Sequence, residues 1–257
     1  MMKLKPIYQN YRMPCSAYFK PSMSTAMKVT TMFNLMRTFT IAALMGSTMT
    51  LAACDGGPAA SSNSGERTQY EVAGDHAIGN VDAAVTIVEY ASVTCASCAN
   101  WHDAVWPELR RKYVDSGKVR FVYREFPAPA NTARLAETGF MIARCADEDK
   151  YFTNLSVQYK RQKALLSAAQ NSQARQAYRD LARVAGLSED EFEACLANDE
   201  EYGAMKAVIK SGFERSVNVT PTFFINGEKV KAFTIDQFEA ELETRGVEID
   251  KEDRQTP

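Results

Sequence analysis

Runs of apolar and β-branched residues alternate along the chain with segments in which apolar residues recur at helical spacing. The run "AAVTIVEYAS" at 83–92 is almost continuously apolar and predicts a buried strand. The run "VRFVYREF" at 119–126 predicts a second strand, which the turn-forming "PAPAN" ends. Between them, apolar residues recur every four positions after Cys95 and predict a helix: Trp101, Val105, Leu109 and Tyr113.

The stretch 132–215 predicts a block of consecutive helices. Within it, Gly186 is typical of the residue that ends a helix. Ser188 and Glu191 have the Ser-x-x-Glu spacing of a capping box, which predicts the start of the next helix.

The C-terminal part of the chain predicts a β-hairpin followed by a helix. Strands are predicted at 222–225 and 228–233, and the dipeptide Asn226-Gly227 between them is a strong hairpin signal. Thr234 is the expected cap of the final helix. The order strand, helix, strand, helical block, hairpin and helix predicts an α/β fold with a mixed sheet.

Charge is distributed unevenly along the 257 residues, although the formal net charge is only −2. Residues 1–53 hold six Lys or Arg and no Asp or Glu, so 24 basic and 32 acidic residues remain downstream. The downstream part therefore lacks the basic surface that binding to nucleic acids requires, and we expect no nucleic-acid partner. A hydrophobic content of 46% is ordinary for a globular protein.

The basic N-terminal region has the pattern of an export signal. From Met36, one arginine precedes a mostly apolar run that is too short to span a bilayer. The run ends in Leu51-Ala52-Ala53-Cys54, which resembles the lipobox of bacterial lipoproteins. This resemblance implies that Cys54 is lipidated and tethers the protein to a membrane. The alternative is a plain signal peptide that is cleaved nearby.

These features divide the N-terminal part of the chain into three segments. We interpret residues 1–35 as an over-extended start, 36–53 as the signal peptide and the Gly/Ser-rich 54–75 as a flexible tether. Asp55 resembles the residue that retains some bacterial lipoproteins in the inner membrane. We therefore expect a periplasmic protein that a lipid anchors to the inner membrane.

Cys95 and Cys98 form a Cys-x-x-Cys pair between a predicted strand and a predicted helix, a context typical of thioredoxin-like redox motifs. At the start of a helix, the thiolate of Cys95 would face unpaired backbone N–H groups, which lower the pKa of a thiol. We expect Cys95 to be exposed and to exchange disulfides. Cys98, one turn further, is expected to be buried and to resolve the mixed disulfide.

Other interpretations of the pair explain it less well. A metal site would need further ligands, and the sequence has no second cysteine pair or His-x-x-x-His motif nearby. Haem attachment would need histidine at position 99, where Ala99 stands. A structural disulfide across so small a loop would constrain the unfolded chain little. We expect no metal and no cofactor other than the redox-active disulfide.

The sequence Thr-Pro-Thr-Phe-Phe-Ile-Asn-Gly at 220–227 completes a resemblance to a known family. Together with the strand, the Cys-x-x-Cys helix and the helical block, it makes residues 76–246 similar to the DsbA-type branch of the thioredoxin superfamily. The resemblance implies a thioredoxin-like fold with a mixed central sheet, formed by 76–131 and 216–257. A helical domain at 132–215 would be inserted into it.

The resemblance also implies roles for residues around the cysteine pair. Pro221 would be cis and pack against the disulfide. Thr220 would offer its backbone to an extended substrate, and we place Ala96 and Ser97 on the same substrate-contacting surface.

Glu89 aligns with an acidic residue that this family buries near the resolving cysteine. In that position its carboxyl group would exchange a proton with Cys98. The alternative is a side chain that points to solvent from the strand end. His102 is interpreted as a helix residue beside Trp101.

Cys145 and Cys195 lie on apolar faces of the helical block. In an oxidising compartment they are the remaining partners for each other, and some DsbA-like proteins of alphaproteobacteria carry a similar second, non-catalytic disulfide. The alternative is two buried free thiols.

The pair departs from the family pattern at Ala96-Ser97, where oxidising members usually carry Pro-His. Without that histidine, we expect a higher pKa for Cys95 and a weaker oxidant. We interpret the protein as a monomer that introduces disulfides into exported proteins and is recycled by a membrane quinone-linked thiol oxidase. Two alternatives remain open: a periplasmic thiol reductase or disulfide isomerase, and a tethered protein that binds client peptides or Cu(I).

Overall fold

The structure is a computed structural model and describes residues 69–249. Its centre is a five-stranded sheet in the order β1-β3-β2-β4-β5. Strand β3 runs parallel to β2 and antiparallel to β1, while β4 runs antiparallel to β2 and β5. The sheet is therefore mixed, which confirms the predicted α/β class. The strands are β1 (His76–Ile78), β2 (Val85–Ala91), β3 (Val119–Glu125), β4 (Thr222–Ile225) and β5 (Glu228–Val230).

Helices α1 and α2 connect β2 to β3, helices α3 to α7 connect β3 to β4, and α8 follows β5. None of these helices, which all belong to residues 69–249, is long and apolar enough to cross a membrane. Their bounds are α1 (Ala96–Ala104), α2 (Trp106–Leu109), α3 (Ala133–Cys145), α4 (Tyr151–Gln170), α5 (Ala174–Ala185), α6 (Glu189–Leu196), α7 (Asp199–Glu214) and α8 (Ile235–Glu243).

Strand β2 is central, and all seven of its residues are buried. Val85 and Ile87 belong to the apolar cluster on one face of the sheet, while Val88 and Tyr90 belong to the cluster on the other face. Burial on both faces is the reason for the nearly continuous apolar run in the sequence.

The helix predicted after Cys95 is divided into three parts. α1 ends at Ala104, the short α2 follows, and a π-helical turn covers Arg110–Val114. Pro107 has no amide hydrogen and its ring crowds the preceding turn, so regular α-helical bonding cannot continue through it. The four apolar residues predicted to share one face nevertheless all belong to the main core.

The C-terminal hairpin turns at Asn226 and Gly227, whose φ angles are 47° and 82°. Two positive φ angles are typical of a type I′ turn, which matches the twist of the paired strands. The prediction that the second strand reaches Phe233 is wrong, because β5 ends at Val230. The backbone N–H of Phe233 instead donates to Oε1 of Gln237, as part of the cap of α8.

The structure corrects the predicted extent of the tether at 54–75. The carboxylate of Asp75 is fully buried and lies 2.7 Å from Nη2 of Arg124. Glu71 accepts a 3.1 Å hydrogen bond from Nε of Arg120. Residues 71–75 are therefore held against β3. The interpretations of residues 1–35 and 36–53, and the lipidation of Cys54, lie outside the described residues.

Helices α3 to α7 occupy 133–214, where the sequence predicts the helical block. They have an apolar cluster of their own, which includes Ile142, Tyr178 and Phe192. Gly186 ends α5 in the left-handed region with φ 94°. This block places α4 against α1, next to the cysteine pair.

Candidate active site

Cys95 is the N-cap residue of α1, and its Sγ accepts a hydrogen bond from the backbone N–H of Cys98 at 3.4 Å. The expectation that Cys95 is exposed is wrong, since only 8% of its surface is accessible. One reason is the loop before β4, where the carbonyl of Thr220 accepts a 3.3 Å hydrogen bond from Cys95 Sγ. Cys98 is completely buried, and both cysteines carry free thiols.

The two thiols differ strongly in acidity. The pKa of Cys95 is lowered to about 6, first because the Cys98 thiol donates to its sulfur, and further by hydrogen bonds from the side chain of Thr220 and from the backbone of Cys98 and Ser97. Burial acts against this lowering. The pKa of Cys98 is raised well above its ordinary value, because burial penalises its thiolate, its thiol donates a hydrogen bond to Cys95, and charge on Cys95 and Glu89 opposes a negative charge on its sulfur. Cys95 therefore has the properties of a nucleophile and Cys98 those of a resolving thiol.

The peptide bond between Thr220 and Pro221 is cis, and these residues line a groove of about 450 Å³ beside the cysteine pair. Ser97 lines the same groove. Val219 and Phe233, which also line it, are 60% and 50% exposed. The groove thus offers apolar surface and backbone groups near Cys95.

Ala96, the other residue between the two cysteines, is exposed like Ser97 but faces a different cavity. That cavity has a volume of about 420 Å³ and lies between α1 and α4. The two residues predicted to contact substrate together with Thr220 are therefore divided between two surfaces.

Glu89 lies on the central strand and is completely buried, so its side chain does not point to solvent. Its Oε2 is 2.9 Å from Nε2 of His102 on α1. The sequence predicts His102 beside Trp101, and the two rings are indeed 5.0 Å apart, but the pairing of His102 with Glu89 is not predicted. A usable signal was the spacing of four residues between Cys98 and His102, which puts both side chains on one face of the helix.

Gln162 is a further residue that the sequence interpretation missed. Its Nε2 donates to the carbonyl of Val93 at 2.8 Å and to the carbonyl of Cys95 at 3.0 Å. Because Gln162 lies on α4, a helix of the inserted block fixes the backbone of the turn that carries Cys95. No local sequence pattern identifies such a contact.

Cys145 and Cys195 form a disulfide between α3 and α6. Next to it, Arg144 and Tyr151 both donate to the buried carboxylate of Glu125 at 2.7 Å. The disulfide therefore cross-links two helices within the block, and the contacts of Glu125 link the block to β3.

No cluster of three or more His, Cys, Asp or Glu side chains in the described part of the chain could hold a metal ion. The site itself consists of an acidic thiol at a helix start, a buried second thiol, and a carboxylate close to the second thiol.

A family model described as thioredoxin matches residues 71–244 of the chain. A putative protein-disulfide oxidoreductase of Rickettsia conorii is 32% identical over 165 residues, covering 63% of this chain and 57% of the relative. A putative protein-disulfide oxidoreductase of Rickettsia bellii is 28% identical over 170 residues, covering 66% and 63%. The chain thus spans about three fifths of the length of these curated relatives.

Among solved structures, alpha-DsbA1 of Wolbachia pipientis matches with a TM-score of 0.60 and 21% identity over 67% of this chain and 91% of that chain. BdbD of Bacillus subtilis matches with a TM-score of 0.56 and 19% identity over 67% and 92%. At these identities the structures show a shared fold.

Proposed function

The chain belongs to the thioredoxin family, and from this premise we propose that it is a thiol:disulfide oxidoreductase acting on cysteines of exported proteins. The observation that carries the proposal is the asymmetry of the pair: the pKa of Cys95 is lowered to about 6, whereas that of Cys98 is raised well above its ordinary value. A cysteine pair that only forms a structural disulfide or binds a metal would not require such a difference in pKa between its two thiols.

The reaction that this asymmetry supports begins with the oxidised pair. A client thiolate attacks Sγ of Cys95, the bond between the two enzyme sulfurs breaks, and Cys98 Sγ leaves with the electron pair and takes up a proton. A second client thiolate then attacks the client sulfur of the mixed disulfide, and Cys95 leaves as a thiolate. Two electrons pass from the client to the enzyme, so the pair itself is the redox group and no separate cofactor takes part.

Oxidation of the client is the favoured direction because a stable Cys95 thiolate stabilises the reduced enzyme. A pKa of about 6 lies between about 3.5 for a strong oxidant of this kind and about 7 for thioredoxin. This supports an oxidant of intermediate strength, in keeping with Ala96 and Ser97 in place of Pro-His.

The groove at Thr220 and Pro221 is the proposed site for an extended client segment. Its backbone carbonyl at Thr220 and its exposed apolar side chains, Val219 and Phe233, suit a chain with mixed polar and apolar groups. The N-terminal sequence pattern supports action in the periplasm, with Cys54 as the site of a lipid anchor. We further propose that the protein acts as a monomer and that a membrane quinone-linked thiol oxidase regenerates its disulfide.

A glutathione redox titration, combined with oxidation of a reduced client protein, tests this proposal. We expect a potential between about −230 and −120 mV and formation of client disulfides. A potential near that of thioredoxin, about −270 mV, together with insulin reduction, would instead establish the reductase alternative. Full activity of Cys95→Ser on clients would refute catalysis and favour a protein that only binds peptides or Cu(I).

A further inference from the structure

The pair formed by Glu89 and His102 lies behind the resolving cysteine. Nε2 of His102 and Oε2 of Glu89 are 2.9 Å apart, and the two side chains are 5% and 0% exposed. His102 follows Cys98 by one helical turn, so the imidazole and the buried thiol lie on the same side of α1. A buried carboxylate is stable only with such a partner.

The residues around Glu89 and His102 do not supply a hydrogen bond to the second oxygen of the Glu89 carboxylate. Tyr123 and Tyr159 approach from β3 and α4, but their hydroxyl groups bond to each other at 2.8 Å. The imidazole stacks on Tyr159 with ring centres 4.2 Å apart. Oε1 of Glu89 has no hydrogen-bond partner among residues 69–249. A buried acceptor without a partner suits a group that receives a proton during the reaction.

His102 connects this sealed carboxylate to solvent. It lines the cavity of about 420 Å³ between α1 and α4, whose other charged lining groups are Asp103 on α1 and Lys160 and Lys163 on α4. The client groove of about 450 Å³ lies on another face of α1, and Asn100 borders both spaces. Glu89 lines neither.

On the basis of the proposed function, we propose that His102 is a positioning residue that exchanges the proton of Glu89 with water in the α1–α4 cavity. When Cys98 leaves as a thiolate, Glu89 delivers a proton to its sulfur, and His102 restores a proton to Glu89 from the cavity. When Cys98 attacks a mixed disulfide, the same proton travels in the opposite direction. The proton path is thereby separated from the client groove.

The test follows the step in which Cys98 attacks. A fluorescent peptide is joined to Cys95 as a mixed disulfide, and its release is measured against pH for wild type, His102→Gln and His102→Phe. The amide of glutamine retains a donor to Glu89 but cannot exchange a proton near neutral pH. We expect His102→Gln and His102→Phe to slow release at least about tenfold at neutral pH. The alkylation profile of Cys95 should stay unchanged.

Release from His102→Gln at the wild-type rate overturns the proposal, because a hydrogen bond to Glu89 would then suffice. The matched control is His76→Gln, which makes the same change at the only other histidine of the chain and should leave release unaffected. If the peptide never forms a mixed disulfide with Cys95 in the wild type, the proposed function fails as well.

A second variant removes the ring without filling its place. In His102→Ala, added imidazole can enter through the α1–α4 cavity, and we expect it to restore release in a saturable manner. The variant Glu89→Gln has no carboxyl group that could take up a proton, so added imidazole should not accelerate release from it. Absence of rescue in a His102→Ala protein that melts like wild type contradicts the proton route.

Discussion

Removal of the Cys98 thiol should make Cys95 less acidic. The hydrogen bond from Cys98 is the largest cause that lowers the pKa of Cys95 to about 6. A hydrogen bond to a charged group contributes about 1.5–3 kcal/mol, and about 1.4 kcal/mol corresponds to one pKa unit. The variant Cys98→Ala should therefore raise the pKa of Cys95 to about 7 to 8.

The measurement is the rate at which iodoacetamide alkylates Cys95 between about pH 4 and 9, followed by mass spectrometry of the peptide that contains it. The thiolate is the nucleophile, so the rate rises with pH and levels off above the pKa. Cys98→Ser is the matched control, because its hydroxyl retains a donor and should give an intermediate midpoint. A midpoint in Cys98→Ala at or below that of wild type would refute the assigned cause.

Three further changes test the surrounding structure. Replacing Cys145 and Cys195 by alanine removes a cross-link over 50 residues and should lower the free energy of unfolding by about 4 kcal/mol, measured by urea titration; a loss under about 1 kcal/mol contradicts the loop-entropy argument. Gln162→Leu leaves two buried carbonyls of the active-site turn without their donor, so we expect a loss of about 1–3 kcal/mol, and client oxidation by the folded variant should be slower. Arg144→Met leaves the carboxylate of Glu125 buried without its cation and should cost about 3–5 kcal/mol at pH 7, a loss that adding Glu125→Gln should partly reverse.

The sequence predicts those parts of the fold that depend on local patterns. Strand β2 is recognised because burial on both faces leaves a continuous apolar run, and the hairpin because Asn226-Gly227 suits two positive φ angles. Strand β1 is only three residues long and is defined by pairing with β3, for example His76 with Tyr123. A pattern of period two cannot be detected in three residues, so β1 went unpredicted.

The candidate active site likewise combines features that a local sequence pattern predicts with features that depend on distant parts of the chain. Cys95 and Cys98 are three positions apart in the sequence, and their position between a strand and a helix predicts redox chemistry. The low exposure of Cys95 depends on a loop that approaches from a distant part of the chain, as the 3.3 Å contact with Thr220 shows. Gln162 and His102 act through partners on other elements, and a single side chain on a helix face does not reveal its partner.

The contacts of Cys95 also bear on when the thiol becomes reactive. Its carbonyl is bonded by Gln162, 67 positions along the chain, and its sulfur by Thr220, 125 positions along. Contacts between such distant segments form late, because closing long loops costs entropy before any contact compensates for it. A growing or partly folded chain therefore lacks the contact of Cys95 with Thr220 and the burial that raises the pKa of Cys98. The hydrogen bonds from Cys98 and Ser97 that lower the pKa of Cys95 are local to α1, so we expect the acidity of Cys95 to arise with this helix and the high pKa of Cys98 only with the completed fold.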